Sequence, residues 1–282
     1  MITRFLFEDL DIRGAMVQMD DVWQAVQHNR PYDSRTRSLL GEMCAVTAII
    51  TSNLKNPGRI TFQISGHGPL RMLVVDCDET LNLRALAKAE EDLSTLDVTL
   101  PELIGDGSLM LTLDLPTLRE PYRSYVPVDG DSVADIFENY LEQSEQHPAF
   151  LWLFADEENA SGLFLQKLPD ADQKDSDGWA RITHLAATVK AEELATLPAT
   201  ELLHRLFPEE DIRVFEPRKV RHDWPRNEGK IRTLLKNVGR AELEATLHEH
   251  GEVVISDELS NHTYRFSAED IAKLWDDESP ST

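Results

Sequence analysis

Four short apolar stretches, residues 60–64, 72–75, 109–113 and 125–128, are each cut off by Gly, Pro or Asp before they reach helical length. Several alternate apolar with polar side chains, so they predict strands of an antiparallel or mixed sheet. Two longer runs have a different period. Residues 36–52 and 132–144 repeat their apolar side chains at helical spacing, and Asp131-Ser132 offers the second run a cap. Strands and helices mixed in this way predict an α+β fold, with a sheet-and-helix core domain over residues 1–169.

The next segment, Pro169-Asp-Ala-Asp-Gln-Lys-Asp-Ser-Asp-Gly178, is polar, acidic and turn-rich, as a domain boundary is. Three short amphipathic helices follow, at 179–188, 191–197 and 199–207. Their apolar side consists of Leu185, Leu194, Leu197, Leu202, Leu203, Leu206 and Phe207, and something must cover it. Isolated helices of this length are marginal in water, so docking has to hold them. The expected boundary falls near residue 170, after the core domain (1–169).

A hydrophobic content of 41% in 282 residues supplies a sizeable core. The formal charge of −23 disfavours nucleic acid and anionic membrane as partners. No window approaches the ~18 apolar residues of a membrane helix, and the start, Met1-Ile-Thr-Arg-Phe-Leu-Phe, lacks a leader-like pattern. The expected location is cytoplasmic. One stretch opposes the overall charge: between Arg218 and Arg240, eight Lys and Arg face only Asp223 and Glu228. It reads as a solvated helix and linker, or as a latch on the acidic remainder of the chain. The two cysteines, Cys44 in a helical run and Cys77 at a strand end, read as buried apolar side chains.

No catalytic constellation is present. Gly66-His-Gly68 and Gly105-Asp-Gly107 lack the Lys-Ser/Thr of a P-loop and do not form a dinucleotide fingerprint. There is no G-x-S-x-G elbow and no H-E-x-x-H. Neither an enzyme nor a bound cofactor is expected.

Several segments resemble one family in order and spacing. Gln63-Ile-Ser-Gly-His-Gly-Pro-Leu70 and Ile104-Gly-Asp-Gly-Ser-Leu-Met-Leu-Thr-Leu-Asp114 look like its glycine-rich turns between strands. Tyr140-Leu-Glu-Gln-Ser-Glu-Gln146 is followed by Gly162-Leu-Phe-Leu-Gln-Lys-Leu-Pro169, and the C-terminal part holds Phe215-Glu-Pro217 and Tyr264-Arg-Phe-Ser-Ala-Glu-Asp-Ile271. The chain is similar throughout to the 33 kDa chaperonin family, the redox-switched heat-shock holdases. In that family a Cys-x-Cys and a Cys-x-x-Cys hold zinc, which folds the C-terminal domain; oxidation expels the metal and loosens the linker.

The resemblance puts Trp224, Arg226, Asp257 and Ser260 at those four positions, and none can furnish a thiolate. No metal is therefore expected there. A hydrophobic core of Trp224, Leu259, Tyr264, Phe266, Ile271, Leu274 and Trp275 is expected in its place. Structural zinc contributes roughly 10 to 16 kcal/mol in small domains, so its loss needs such compensation.

The resemblance implies a helical linker over 170–221, a small C-terminal α+β domain over 222–282, and an ATP-independent holdase for unfolding clients that is a homodimer in the active state. Without the four thiols the holdase is expected to be zinc-free, and either constitutive or triggered by heat or another unfolding stress rather than by thiol oxidation. Two other readings stand beside it. One is an adaptor presenting a specific partner to a protease or the translation machinery. The other is an enzyme with a metal at His222, Asp223, Asp257 and His262, since imidazole and carboxylate can bind zinc. His248 and His250 read as exposed helix-end residues.

Overall fold

The computed structural model describes residues 1–54 and 58–276. In chain order it begins with β1 (Ile2–Phe7), β2 (Ile12–Met19), α1 (Asp21–Gln27), α2 (Ser34–Asn53), β3 (Arg59–Ser65), β4 (Leu70–Asp78) and β5 (Leu83–Ala89). Then come α3 (Leu100–Ile104), β6 (Ser108–Asp114), β7 (Tyr122–Pro127), α4 (Val133–Glu145), β8 (Ala149–Ala155) and β9 (Ala160–Lys167). Four short helices, α5 (Ala171–Lys174), α6 (Gly178–Ala186), α7 (Ala191–Thr196) and α8 (Ala199–Leu206), lead to β10 (Ile212–Val214). Last are α9 (Glu228–Val238), α10 (Arg240–His250), β11 (Val253–Asp257), β12 (His262–Phe266) and α11 (Ala268–Asp276). The class is α+β, as expected. The chain forms two compact units, one ending at His222 and one beginning at Asp223.

In the first unit, two five-stranded antiparallel sheets have the orders β10-β1-β2-β9-β8 and β5-β4-β3-β6-β7. Helix α2 packs against strands of both. Leu40, Met43, Cys44, Val46 and Ile49 are all buried, because a helix enclosed by two sheets has no solvent face left to make polar. Asp33 caps it, accepting the N–H groups of Arg35 and Thr36 at 2.9 Å each. Buried Thr47 and Thr51 return their hydroxyls to the carbonyls of Met43 and Thr47, at 2.7 and 2.8 Å.

The strands and long helices read from the sequence are present as β3, β4, β6, β7, α2 and α4, the last opened by the expected Ser132 cap paired with Asp135. Two details differ. The acidic boundary segment holds the one-turn helix α5, and the second glycine turn joins α3 to β6 rather than two strands. The two glycine turns lie back to back: Gly68 N–H donates to the Ile104 carbonyl at 2.8 Å, and a Cβ on Gly66 would stand 2.1 Å from that oxygen. Their glycines allow a close backbone approach, which is a structural role.

The Ser144-Glu145-Gln146 end of α4 is also structural. Glu145 accepts from Gln166 at 2.9 Å and from Arg13 at 3.1 Å, which ties the helix to β9 and β2. Among the described residues, no helix is long and apolar enough to cross a membrane.

Candidate functional site

The sheet containing β1, β2 and β9 is apolar on both faces. One face meets α2. The other presents Phe5, Phe7, Ile12, Met16, Leu163 and Leu165, and α6, α7 and α8 lie over it as an arm. From the arm, Ile182, Ala186, Val189, Leu194, Leu202, Leu203, Leu206 and Phe207 are buried in the same cluster, with Leu185 and Leu197 partly buried beside them. This is the cover that the apolar side of the linker required.

Phe207 meets Phe7 edge to face with ring centroids 5.0 Å apart, and Phe5 stands 5.8 Å from Phe7. The Phe5 ring lies over Gly14, where a Cβ would come within 2.2 Å of it, so the close approach requires glycine. One polar clip crosses the interface. Gln18 Nε2 donates to the carbonyls of Leu194 and Leu197, at 2.8 and 2.9 Å, where α7 ends and leaves carbonyls without intrahelical partners.

The rim is ionic. Arg205 pairs with Glu193 at 2.6 Å, Arg181 bonds Glu210 at 3.1 Å and Asp175 at 3.0 Å, and Lys174 reaches the Glu8 carbonyl at 2.9 Å. The Arg205 and Arg181 pairs join residues 175–210 to one another rather than to the sheet, so the apolar face dominates docking. α6, α7 and α8 have nine, six and eight residues, too short to persist once lifted, so undocking and unravelling of the arm are coupled. Lifting it exposes an apolar sheet face and an apolar chain together.

The sequence showed the arm side of this contact and missed the sheet side. Phe5-Leu6-Phe7 is an unbroken apolar run too short to separate strand from helix by its period. Gln18 carried no signal.

Both cysteines are buried and unpaired with each other. Loss of solvation pushes the Cys77 thiol up to about 12 and the Cys44 thiol higher still. Oxidants attack thiolates, so neither sulfur is poised as a sensor.

In the second unit, the four positions matched to the family's thiols gather at the β11–β12 hairpin. Asp257 closes the turn, its carboxylate accepting Ser260 N–H at 3.2 Å, and stands opposite His262. His262 Nε2 donates to the Trp224 carbonyl at 2.6 Å. Arg226 donates to the Thr263 carbonyl and lies 4.7 Å from the Tyr264 ring centroid, while Asn227 N–H reaches the Tyr264 hydroxyl at 2.9 Å. Hydrogen bonds and one cation–π contact therefore hold the 224–227 segment against β12.

The buried cluster of this unit is Ile231, Leu235, Leu243, Val253, Tyr264, Phe266, Ile271 and Leu274, with Trp275 partly buried. Trp224 and Leu259 are only half-buried and lie outside it, which corrects the expected core. Ile231 and Leu235 of α9 and Leu243 of α10 complete that cluster instead, and the Trp224 carbonyl accepts from His262.

Of the alternative metal set, His222 belongs to the first unit, where its Nδ1 is 2.8 Å from the Leu83 carbonyl, and within the second unit His262 bonds the Trp224 carbonyl. Among the described residues, no three His, Cys, Asp or Glu are grouped to hold a metal. His248 and His250 are exposed in the last turn of α10.

The family model described as Hsp33 protein matches residues 1–267. A 33 kDa chaperonin from Shewanella sp. (strain ANA-3) is 38% identical over 275 residues, 98% of this chain and 95% of its own. Another 33 kDa chaperonin, from Nitrosococcus oceani, is 38% identical over 272 residues, 96% of this chain and 93% of its own. The crystal structure of the 33 kDa chaperonin from Thermotoga maritima shares the fold, with a TM-score of 0.80 at 22% identity over 98% of both chains. With a match that spans nearly the whole chain, this protein belongs to the Hsp33 family.

Proposed function

We propose that this protein is an ATP-independent holdase that binds unfolding proteins and prevents their aggregation, released by heat or another unfolding stress rather than by thiol oxidation. The observation that carries this reading is the apolar face of Phe5, Phe7, Ile12, Met16, Leu163 and Leu165, closed by an arm of short helices that cannot persist undocked. An apolar surface hidden at rest and opened by loosening a cover is the physical requirement of a holdase. The family membership supports a chaperone, and the buried Cys44 and Cys77 support independence from peroxide.

Light scattering of thermally unfolding citrate synthase, with and without peroxide, tests the reading. Suppression that rises with temperature and is the same in both conditions is expected. Suppression only after mild oxidation would refute the control, and no suppression in either condition would refute the holdase.

A further inference from the structure

A sheet that ends in an open strand can add another, and folded proteins shorten, cap, cover or charge such edges. The two large sheets have four edge strands. β10 is three residues long. In β8 the N–H of Leu151 is capped by the Glu138 carboxylate at 2.5 Å. β5 is strapped by the chain beyond Val220, where Leu83 N–H donates to the Arg221 carbonyl at 2.8 Å, and Lys88 stands exposed near its end.

β7 is charged at Arg123 and closed by Pro127, but among the described residues no strand, side-chain cap or strap covers the outer edge of its six residues. It carries the two most exposed large apolar side chains described, Tyr125 at 67% and Tyr122 at 55%. Tyr125 pairs across the sheet with Met110, and Tyr122 pairs with Leu113 from the opposite face.

We propose that the outer edge of β7 takes an extended segment of an unfolded polypeptide as an added strand, a binding site separate from the face under the arm. The proposal rests on the holdase reading and names a surface for it. Main-chain hydrogen bonds are indifferent to side-chain sequence, which suits a protein that must hold unrelated clients. Apolar residues at alternate positions of the added strand fall beside Tyr125 on one face and beside Tyr122 and Val126 on the other.

A net charge of −23 favours segments whose remaining side chains are Lys and Arg. The same charge opposes a second copy at this edge, and six residues a side fall well short of the roughly 20 to 30 of a stable interface. Because β7 is exposed with the arm docked, its edge captures segments before the arm lifts.

The test uses the full chain at 25 °C with reduced, carbamidomethylated ribonuclease A, a basic polypeptide that stays unfolded. Amide exchange within 122–127 should slow at least fivefold at saturating ribonuclease. A Tyr122→Gln, Tyr125→Gln variant should bind at least threefold more weakly with an unchanged Tm. Slowing confined to 5–16, 163–165 and the arm would overturn the edge site and leave the holdase standing. Slowing in 122–127 that grows with protein concentration and needs no ribonuclease would assign the edge to a second copy and overturn the proposal. No slowing anywhere, with no suppression in the light-scattering assay, would remove the holdase reading as well.

Discussion

Phe207 and Gln18 hold the arm by different physics, and their substitutions separate the two. Removing a buried aromatic ring costs about 3 to 5 kcal/mol, so Phe207→Ala should lower the temperature at which the arm exchanges its amides. Gln18→Ala leaves two carbonyls at the end of α7 without their donor, a loss of roughly 1 to 3 kcal/mol, and should act in the same direction more weakly. Apolar-dye binding across a temperature ramp reads both. An unchanged ramp for Phe207→Ala would mean that the ring is not part of what docking must break.

A Cys44→Ala, Cys77→Ala variant should keep the same aggregation suppression with and without peroxide. Glu42 gives a pH signature. Loss of solvation, offset in part by the Ser38 hydroxyl at 3.0 Å, raises its carboxyl from 4.5 to about 7. The folded state then holds a proton that the unfolded state has released, so stability falls as pH rises from about 4.5 to about 7 and levels off above it. Glu42→Gln should flatten that slope in denaturant titrations at pH 5, 6 and 8; an unaltered slope would mean that Glu42 does not titrate across this range.

At the scale of elements, the C-terminal unit rests on β12 and the helices around it rather than on the residues that replaced the thiols. Phe266→Ala should therefore loosen this unit by about 3 to 5 kcal/mol, and Trp224→Ala by clearly less. Amide exchange in α9 and β11 distinguishes them, and equal loosening by both would restore Trp224 as a core anchor. Trp224 was misread from sequence because aromatic identity signals apolar area but not its burial, which neighbouring helices decided.

The legible elements were those with a single buried face. β3 alternates buried and half-buried residues along its length, and its period was readable. β2 and β9 were not read, since Ile12–Met19 and Ala160–Lys167 are buried on both faces and lose the alternation that marks a strand. The arm was legible through its leucines. What it covers was not, because contact between residues 5–16 and 182–207 is a tertiary fact with no local period.

For the whole molecule, the two compact units permit a cut between them. A chain ending at His222 keeps the arm and the sheet face it covers, so it should fold and retain the apolar cluster. Its arm should be released at a lower temperature, because the 264–271 segment that the cut removes resembles the part of the family that restrains the linker. An unchanged release temperature would mean that the tail no longer restrains the arm.

The central claim is that uncovering this face, without thiol chemistry, switches on the suppression of aggregation. Amide exchange of the full chain, followed through a temperature series alongside citrate synthase aggregation under reducing conditions, tests it most directly. The account predicts that residues 178–206 lose protection at the temperature where suppression sets in, while α2 and the sheet of β3, β4 and β6 remain protected. Full suppression at temperatures where 178–206 stay protected would contradict it.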